Sequence, residues 1–524
     1  MSNCCRTSKI FSLFALCVLF HACNDKNHVA EERTSDSSED VSRKYCASCH
    51  AFPEPDLLDK VTWINHTLPA MGHRFGIYND RHRDSLIERG SAGRVITQLN
   101  IFPAEQTITD EDWAQIIRYY QEEAPERLEL PSDTSSLTSR SPFEVIVAPF
   151  KIERPAVSAV TYDEKSKLLF VADCSRENFS SVTLLDASLK PTTSLGLPFP
   201  VSNMAVRKDT LYILMMGHFV PSDEPAGQLI KAIRNAKGEY EGYKIVVKGL
   251  KRPVDADYTD VDDDGDEDIV ICEFGNHTGS VSLFVKEGKL YRKNVLMESP
   301  GAIEAIVEDL NSDTKKDIVV LMAQGDEGID VYYNEGAGKF RRERLLQFSP
   351  AFGSVSISLH DFNSDGFKDI MCVNGDNADA SRIIKPYHGI RIFSNDQHNH
   401  FAESFFYFFP GAYKALAADF DGDRDLDISA ISFFPDFYRE PVRGFVLLEN
   451  TSERSSLKFT ASLPEIPSGR WITLTGADID SDSRMDLLLS SFTSLDIAGD
   501  SLYVLKERIQ KEAHPIVLLR SRRK

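Results

Sequence analysis

What this 524-residue chain lacks narrows its chemistry before any motif is read. It has no excess of positive charge: 59 Lys and Arg face 80 Asp and Glu, a formal net charge of −21. That balance opposes attraction to nucleic acid phosphates and sets nucleic acid aside as a partner. No apolar run beyond the first 22 residues is long enough to span a bilayer. Cysteine is scarce: of nine, Cys4, Cys5, Cys17 and Cys23 fall within the first 23 residues. Cys174, Cys272 and Cys372 stand singly in apolar runs, as buried small hydrophobes do, and this excludes a disulfide framework. No glycine-rich dinucleotide fingerprint or other organic-cofactor motif is present, which disfavours a nicotinamide or flavin enzyme.

What is present describes a folded, multidomain chain. The hydrophobic share of 42% and charged share of 27% are those of globular proteins, and the length exceeds what one hydrophobic core supports. Arg6 and Lys9 precede an apolar stretch from Ile10 to Phe20, which reads as an export signal over residues 1–22. Ala22-Cys23 at its end resembles a bacterial lipobox, although His21 stands where a small residue is usual. That resemblance implies lipidation of Cys23, attachment to a membrane through the lipid alone, and a location on the periplasmic or cell-surface side of a bacterial membrane. Simple secretion is the alternative. Residues 23–40 are too polar to fold and read as a tether. Residues 41–124 carry helical patterning, 125–141 form a second polar linker, 142–515 are strand-like, and 516–524 read as a basic tail.

Within the helical unit, Cys46-Ala47-Ser48-Cys49-His50 is a CxxCH sequence. Two thiols at this spacing can bond both vinyl groups of one haem while the adjacent His ligates the iron. A redox CxxC pair or half a zinc site are the alternatives; zinc would require two further ligands at similar spacing. The unit resembles a small monohaem cytochrome c domain. The resemblance implies that Tyr45 packs an N-terminal helix on a C-terminal one, that Pro53 or Pro55 supplies the carbonyl orienting His50, and that Met71 is the sixth ligand of a covalent haem c. His66, His73 and His82 compete with Met71 for that role. Thr109-Asp110-Glu111-Asp112 reads as a capping box opening a helix with Trp113, Ile116, Ile117 and Tyr120 on one face.

The remainder is periodic. Asp260, Asp309, Asp361, Asp419 and Asp478 open Asp-rich segments at intervals of 49, 52, 58 and 59 residues. A second pattern, Gly328 to Asn334, Gly389 to Asn395 and Gly444 to Asn450, recurs in phase, and weaker copies lie near Ser158 to Ala172 and Asn203 to Leu214. Seven repeats of this length predict an all-β propeller, seven-bladed, following the small all-α domain.

Each Asp-rich loop sets oxygens at positions 1, 3, 5 and 9, where alternate residues converge on one point as ligands of Ca²⁺ do. The sets are Asp260, Asp262, Asp264 and Asp268; Asp309, Asn311, Asp313 and Asp317; Asp361, Asn363, Asp365 and Asp369; Asp419, Asp421, Asp423 and Asp427; Asp478, Asp480, Asp482 and Asp486. Gly265 and Gly366 occupy position 6; Gly422 lies at position 4, and Thr314 and Ser483 replace glycine, so the last two loops are expected to bind more weakly. The loops resemble the FG-GAP or VCBS repeat of integrin-like propellers, which implies up to five Ca²⁺ sites. On the opposite face, Gly275-Asn276-His277, Gly325-Asp326-Glu327, Gly375-Asp376-Asn377, Pro435-Asp436 and an insertion bearing Arg382, Lys385, Tyr387 and His388 form a candidate ligand surface.

The resulting expectation is an exported c-type cytochrome that transfers electrons to a redox partner, with a propeller that binds a protein or carbohydrate. A propeller oxidoreductase feeding the haem, or an adhesion module, is the alternative.

Overall fold

Among the described residues, alternating apolar residues bounded by Asp, Asn and Gly build twenty-eight strands, grouped into seven four-stranded antiparallel sheets. The computed structural model describes residues 37–131, 141–176, 179–378, 383–440, 443–452, 456–493 and 503–522. The export signal, Cys23, most of the tether and of the second linker, and Arg382 lie outside these residues. The expectation of seven blades holds, including the two blades without Asp-rich loops.

Blades 1 to 6 span 157–197, 201–250, 253–297, 302–347, 354–408 and 412–462, each running from an inner to an outer strand. First strands of neighbouring blades contact one another around the centre. Second strands such as Asp268–Glu273 and Asp317–Met322 are buried along their whole length, because both faces lie against adjacent blades.

The seventh blade corrects the expected chain boundaries. Its strands, inner to outer, are Trp471–Ala477, Asp486–Ser491, Ile516–Ser521 and Phe143–Val147. The residues read as a basic tail therefore supply a core strand: Ile516, Val517, Leu518 and Leu519 are fully buried, and only the residues around them are basic. Pairing the last strand with the first (Phe143 opposite Ser521, Val147 opposite Val517) closes the ring and leaves no open seam. The helix α1, defined next, likewise begins inside the segment read as tether.

Ahead of the propeller come α1 (Ser38–Cys46), α2 (Lys60–Thr62), α3 (Leu68–Gly72), α4 (Gly90–Gln98) and α5 (Asp110–Glu123). Local chemistry accounts for α5: Thr109 accepts the backbone N–H of Asp112 and caps it, three acidic residues occupy its first turn, and Ile116 and Tyr120 are fully buried. Val41, Trp63, Leu68, Ile108, Ile116, Tyr119 and Tyr120 form the core of this unit, with Tyr45, Cys46, Phe52, Trp113 and Ile117 against it.

Candidate functional site

The CxxCH turn begins at Cys46, the last residue of α1, and Val41 anchors that helix in the core of the helical unit, which fixes where the turn's side chains emerge. Tyr45 donates its hydroxyl to Asp112 at 2.7 Å, joining α1 to α5. Cys46 is half-buried, Cys49 is exposed, and both are free thiols. Burial pushes the Cys46 thiol up to about 11. The His50 ring places Nδ1 2.8 Å from its neighbour's carbonyl, that of Ala51, an arrangement that protonates Nδ1 and leaves the lone pair on Nε2. The expected orienting carbonyls are engaged elsewhere: Pro53 accepts from Tyr120 and Pro55 from Trp63, each at 2.8 Å. They brace the aromatic core, and the carbonyl that meets His50 Nδ1 is that of Ala51.

Met71 lies on α3 and is 38% exposed, as a side chain available to a ligand would be. Of its competitors, His73 is buried and paired through Nε2 with Asp80 at 2.7 Å, which commits it to the fold. His66 and His82 are exposed.

The five Asp-rich loops share one backbone. Both oxygens of the position-1 Asp accept backbone N–H groups from inside the loop, as Asp260 does from Asp264 (3.2 Å) and Gly265 (2.8 Å) and Asp361 from Asp365 (3.0 Å) and Gly366 (2.9 Å). Positions 4 and 6 both take positive φ: 62° and 86° at Asp263 and Gly265, 61° and 75° at Ser312 and Thr314, 89° and 79° at Gly422 and Arg424, 62° and 66° at Ser481 and Ser483. Displacement of glycine thus leaves the turn intact and places the strain on whichever side chain must adopt it.

Three loops bring carboxylate oxygens within 4.8 Å of one another: Asp260, Asp262 and Asp268; Asp419, Asp421 and Asp427; Asp478, Asp480 and Asp486. Such a cluster can hold a cation through oxygen ligands. The remaining two loops carry Asn311 and Asn363 at position 3. At position 5, Asp264, Asp313, Asp365, Asp423 and Asp482 each accept the backbone N–H two residues on through one oxygen and so cap the turn. Position 9 is buried. Burial pushes the Asp427 carboxyl up to about 7 and raises those of Asp268, Asp317, Asp369 and Asp486.

The opposite face, taken from the sequence as a free ligand surface, is where the helical unit docks. Glu88 accepts from the Ser222 hydroxyl at 2.7 Å and from the Asp223 N–H at 3.0 Å, and Glu224 accepts from the Ser91 hydroxyl at 2.7 Å. Asp223 in turn accepts the N–H groups of His277 and Thr278 at 2.9 and 2.6 Å. Arg74 lies 3.0 Å from His277 Nδ1, and its guanidinium sits 4.8 Å from the Phe102 ring centre. Burial, then the Arg74 charge, lowers the His277 pKa. Tyr387 donates to the Leu57 carbonyl at 2.8 Å, and Ile383 joins the helical core. Asp326, Asp376 and Asp436 accept from nearby side chains or turn N–H groups. No sequence periodicity marked Glu88, Glu224 or Asp223 for these contacts.

A family model described as FG-GAP-like repeat matches residues 309–372, which run from the Asp loop of blade 4 into the second strand of blade 5. No curated protein matches the chain. Among solved structures, a chain of the S. cerevisiae dbp5 assembly with nup159 and gle1 is 11% identical, covering 74% of this chain and 98% of that one at a TM-score of 0.42. The WD40 domain of SCAP from fission yeast is 11% identical, with 75% and 90% covered and a TM-score of 0.36. S. cerevisiae Sqt1 is 11% identical, with 72% and 98% covered and a TM-score of 0.40. A seven-bladed propeller carrying an FG-GAP-like repeat fits a ligand- or partner-binding module.

Proposed function

We propose that the chain is an exported, lipid-anchored c-type cytochrome in which a haem-bearing helical unit rides on one face of a calcium-stabilised propeller, and the propeller binds a partner. The observation that carries this reading is the CxxCH turn itself: two thiols and an imidazole, with the imidazole Nδ1 held by the Ala51 carbonyl and Nε2 left for iron. A haem bound there supplies one-electron transfer. Cys46 and Cys49 would bond it covalently, His50 would ligate it with Met71 as the proposed sixth ligand, and Tyr45, Phe52 and Trp113, packed on the core of the helical unit, would shield it from water. Cys23 carries the lipid, and the acid clusters of blades 3, 6 and 7 take Ca²⁺ ahead of the loops at Asp309 and Asp361. Co-expression with haem-attachment machinery followed by a haem stain on a denaturing gel tests the central claim. A stained band that disappears in Cys46→Ser and Cys49→Ser supports it; an unstained wild-type band overturns it.

A further inference from the structure

The positive charge of this acidic chain is not spread evenly around the propeller. The outer strands of blades 1, 5, 6 and 7, Pro191–Leu197, Phe401–Phe408, Phe459–Ser462 and Phe143–Val147, contain no Lys or Arg. The outer strand of blade 4 carries several, but Arg341 pairs with Glu343, and Arg342 and Arg344 with Asp330. Blade 2 differs. Its outer hairpin, Gly227–Arg234 and Tyr240–Leu250, holds Lys231, Arg234, Lys237, Lys244 and Lys248 against Glu239 and Glu241. None of these five cations is in an ion pair among the described residues.

The same hairpin exposes apolar side chains. Ile233, Tyr243 and Ile245 are 49%, 42% and 58% exposed, and Leu290 on the adjoining outer strand of blade 3 is 75% exposed. Lysines interleaved with isolated aliphatic and aromatic side chains are the composition of a surface that meets lipid headgroups: the ammonium groups reach phosphates while the apolar bodies enter the acyl boundary. Protein interfaces, in contrast, are depleted in Lys and concentrate their apolar residues in a packed centre. The backbone also disfavours addition of a partner strand. Register shifts interrupt the hairpin at three places, and Gly242 and Gly249 take φ of 69° and 77° in its edge strand, so the edge is not a straight template for pairing.

We propose that the outer hairpin of blade 2, with Leu290 beside it, is a docking surface for an anionic phospholipid bilayer. The proposed lipid anchor supplies nearness to such a bilayer: Cys23 precedes Ser38 by fifteen residues, a span of about 50 Å at full extension. Docking on this hairpin then orients an acidic molecule whose remaining surface is repelled by the same lipids.

The test uses the full chain and vesicles of phosphatidylcholine with or without about one-third phosphatidylglycerol. Lys244→Glu/Lys248→Glu is expected to lower partition onto the anionic vesicles by at least roughly thirtyfold and to leave partition onto neutral vesicles unchanged. Since parent and variant share the same N-terminus, the difference reads the hairpin and not the anchor. A Tyr243→Trp reporter is expected to be quenched by brominated phosphatidylglycerol. Equal partition of parent and double variant, or an unquenched reporter, overturns the proposal; binding that follows the hairpin lysines only with an acidic protein overturns it too. Failure of the anchor reading registers separately, as Cys23→Ala leaving membrane fractionation of the expressed protein unchanged.

Discussion

Asp369 and Asn395 lock each other across blade 5. The backbone N–H of Asn395 donates to Asp369 Oδ1 at 2.9 Å, while the Asn395 side-chain amide donates to the Lys368 carbonyl at 3.1 Å. The second Asp369 oxygen accepts the N–H of Phe362 at 3.0 Å. Asp317 with Asn334 and Asp427 with Asn450 repeat the arrangement in blades 4 and 6. In blade 7, Ser521 stands in for the Asn, donating its hydroxyl to the Met485 carbonyl at 2.8 Å. The ninth loop position is therefore a clamp between the Asp loop and the third strand, whatever else it binds.

Asp369→Ala orphans two buried backbone N–H groups and is expected to cost about 3 kcal/mol, whereas Asn395→Ala removes weaker bonds and costs about 1 to 2 kcal/mol. Denaturant unfolding of the two variants measures both. Equal costs would show that the carboxylate is not the centre of the clamp.

Calcium binding separates from this clamp at Asp262, an exposed member of the blade 3 cluster. Asp262→Ala is expected to leave the melting temperature in chelator unchanged and to reduce the stabilisation produced by added Ca²⁺, which for one site at a hundredfold excess over Kd is about 2.7 kcal/mol. A thermal scan with and without chelator decides. A chelator-insensitive wild type with no calcium by metal analysis would leave the loops as Asx-type turns.

Thr314 adopts φ 75° at the position where Gly265 and Gly366 sit, a conformation costly for a β-branched residue. Thr314→Gly is expected to raise stability by about 1 kcal/mol. Destabilisation would mean that the threonine side chain contributes more than its backbone strain removes.

Glu327 joins blades 4 and 5 by accepting the Ser354 N–H at 2.8 Å, and burial pushes its carboxyl from 4.5 up to about 7. The folded state holds this proton more tightly than the unfolded chain, so the contribution is fully present below pH 4.5 and is lost as pH rises through about 7. Glu327→Gln is expected to flatten the fall in stability across that window, by up to about 3 kcal/mol. Unfolding free energies from pH 4.5 to 8 for both proteins supply the comparison.

Tyr45→Phe keeps the ring and removes the bond to Asp112 that ties α1 to α5. A loss of about 1.5 kcal/mol is expected, accompanied in haem-loaded protein by a shifted Soret band if the tie positions the CxxCH turn. Unchanged melting would show that ring packing alone holds the two helices.

Local chemistry made the propeller legible in the sequence. A nine-residue loop with Asp at alternate positions turns the chain in the same way wherever it occurs, and the Gly-to-Asn heptapeptide recurs because a side-chain amide must meet the carbonyl of the loop's eighth residue. Seven repeats, the capped α5 and the CxxCH turn follow from spacing within a few tens of residues. The rest depended on residues far apart in the chain. Ile516–Leu519 form an apolar run of the kind that makes a buried strand, masked by the basic residues after it; only the tertiary structure shows that the run pairs with Phe143–Val147 on one side and Asp486–Ser491 on the other. The face read as a ligand mouth became a domain contact because Glu88 and Glu224 find partners more than 130 residues away, and hydrogen bonds at that separation carry no period. Sequence by itself determined the repeating unit and the thiol-thiol-imidazole turn, since each is set by contacts within one segment; ring closure, the docked face and the unpaired lysines of blade 2 were decided by the tertiary structure, which alone fixes which charges find a counter-ion.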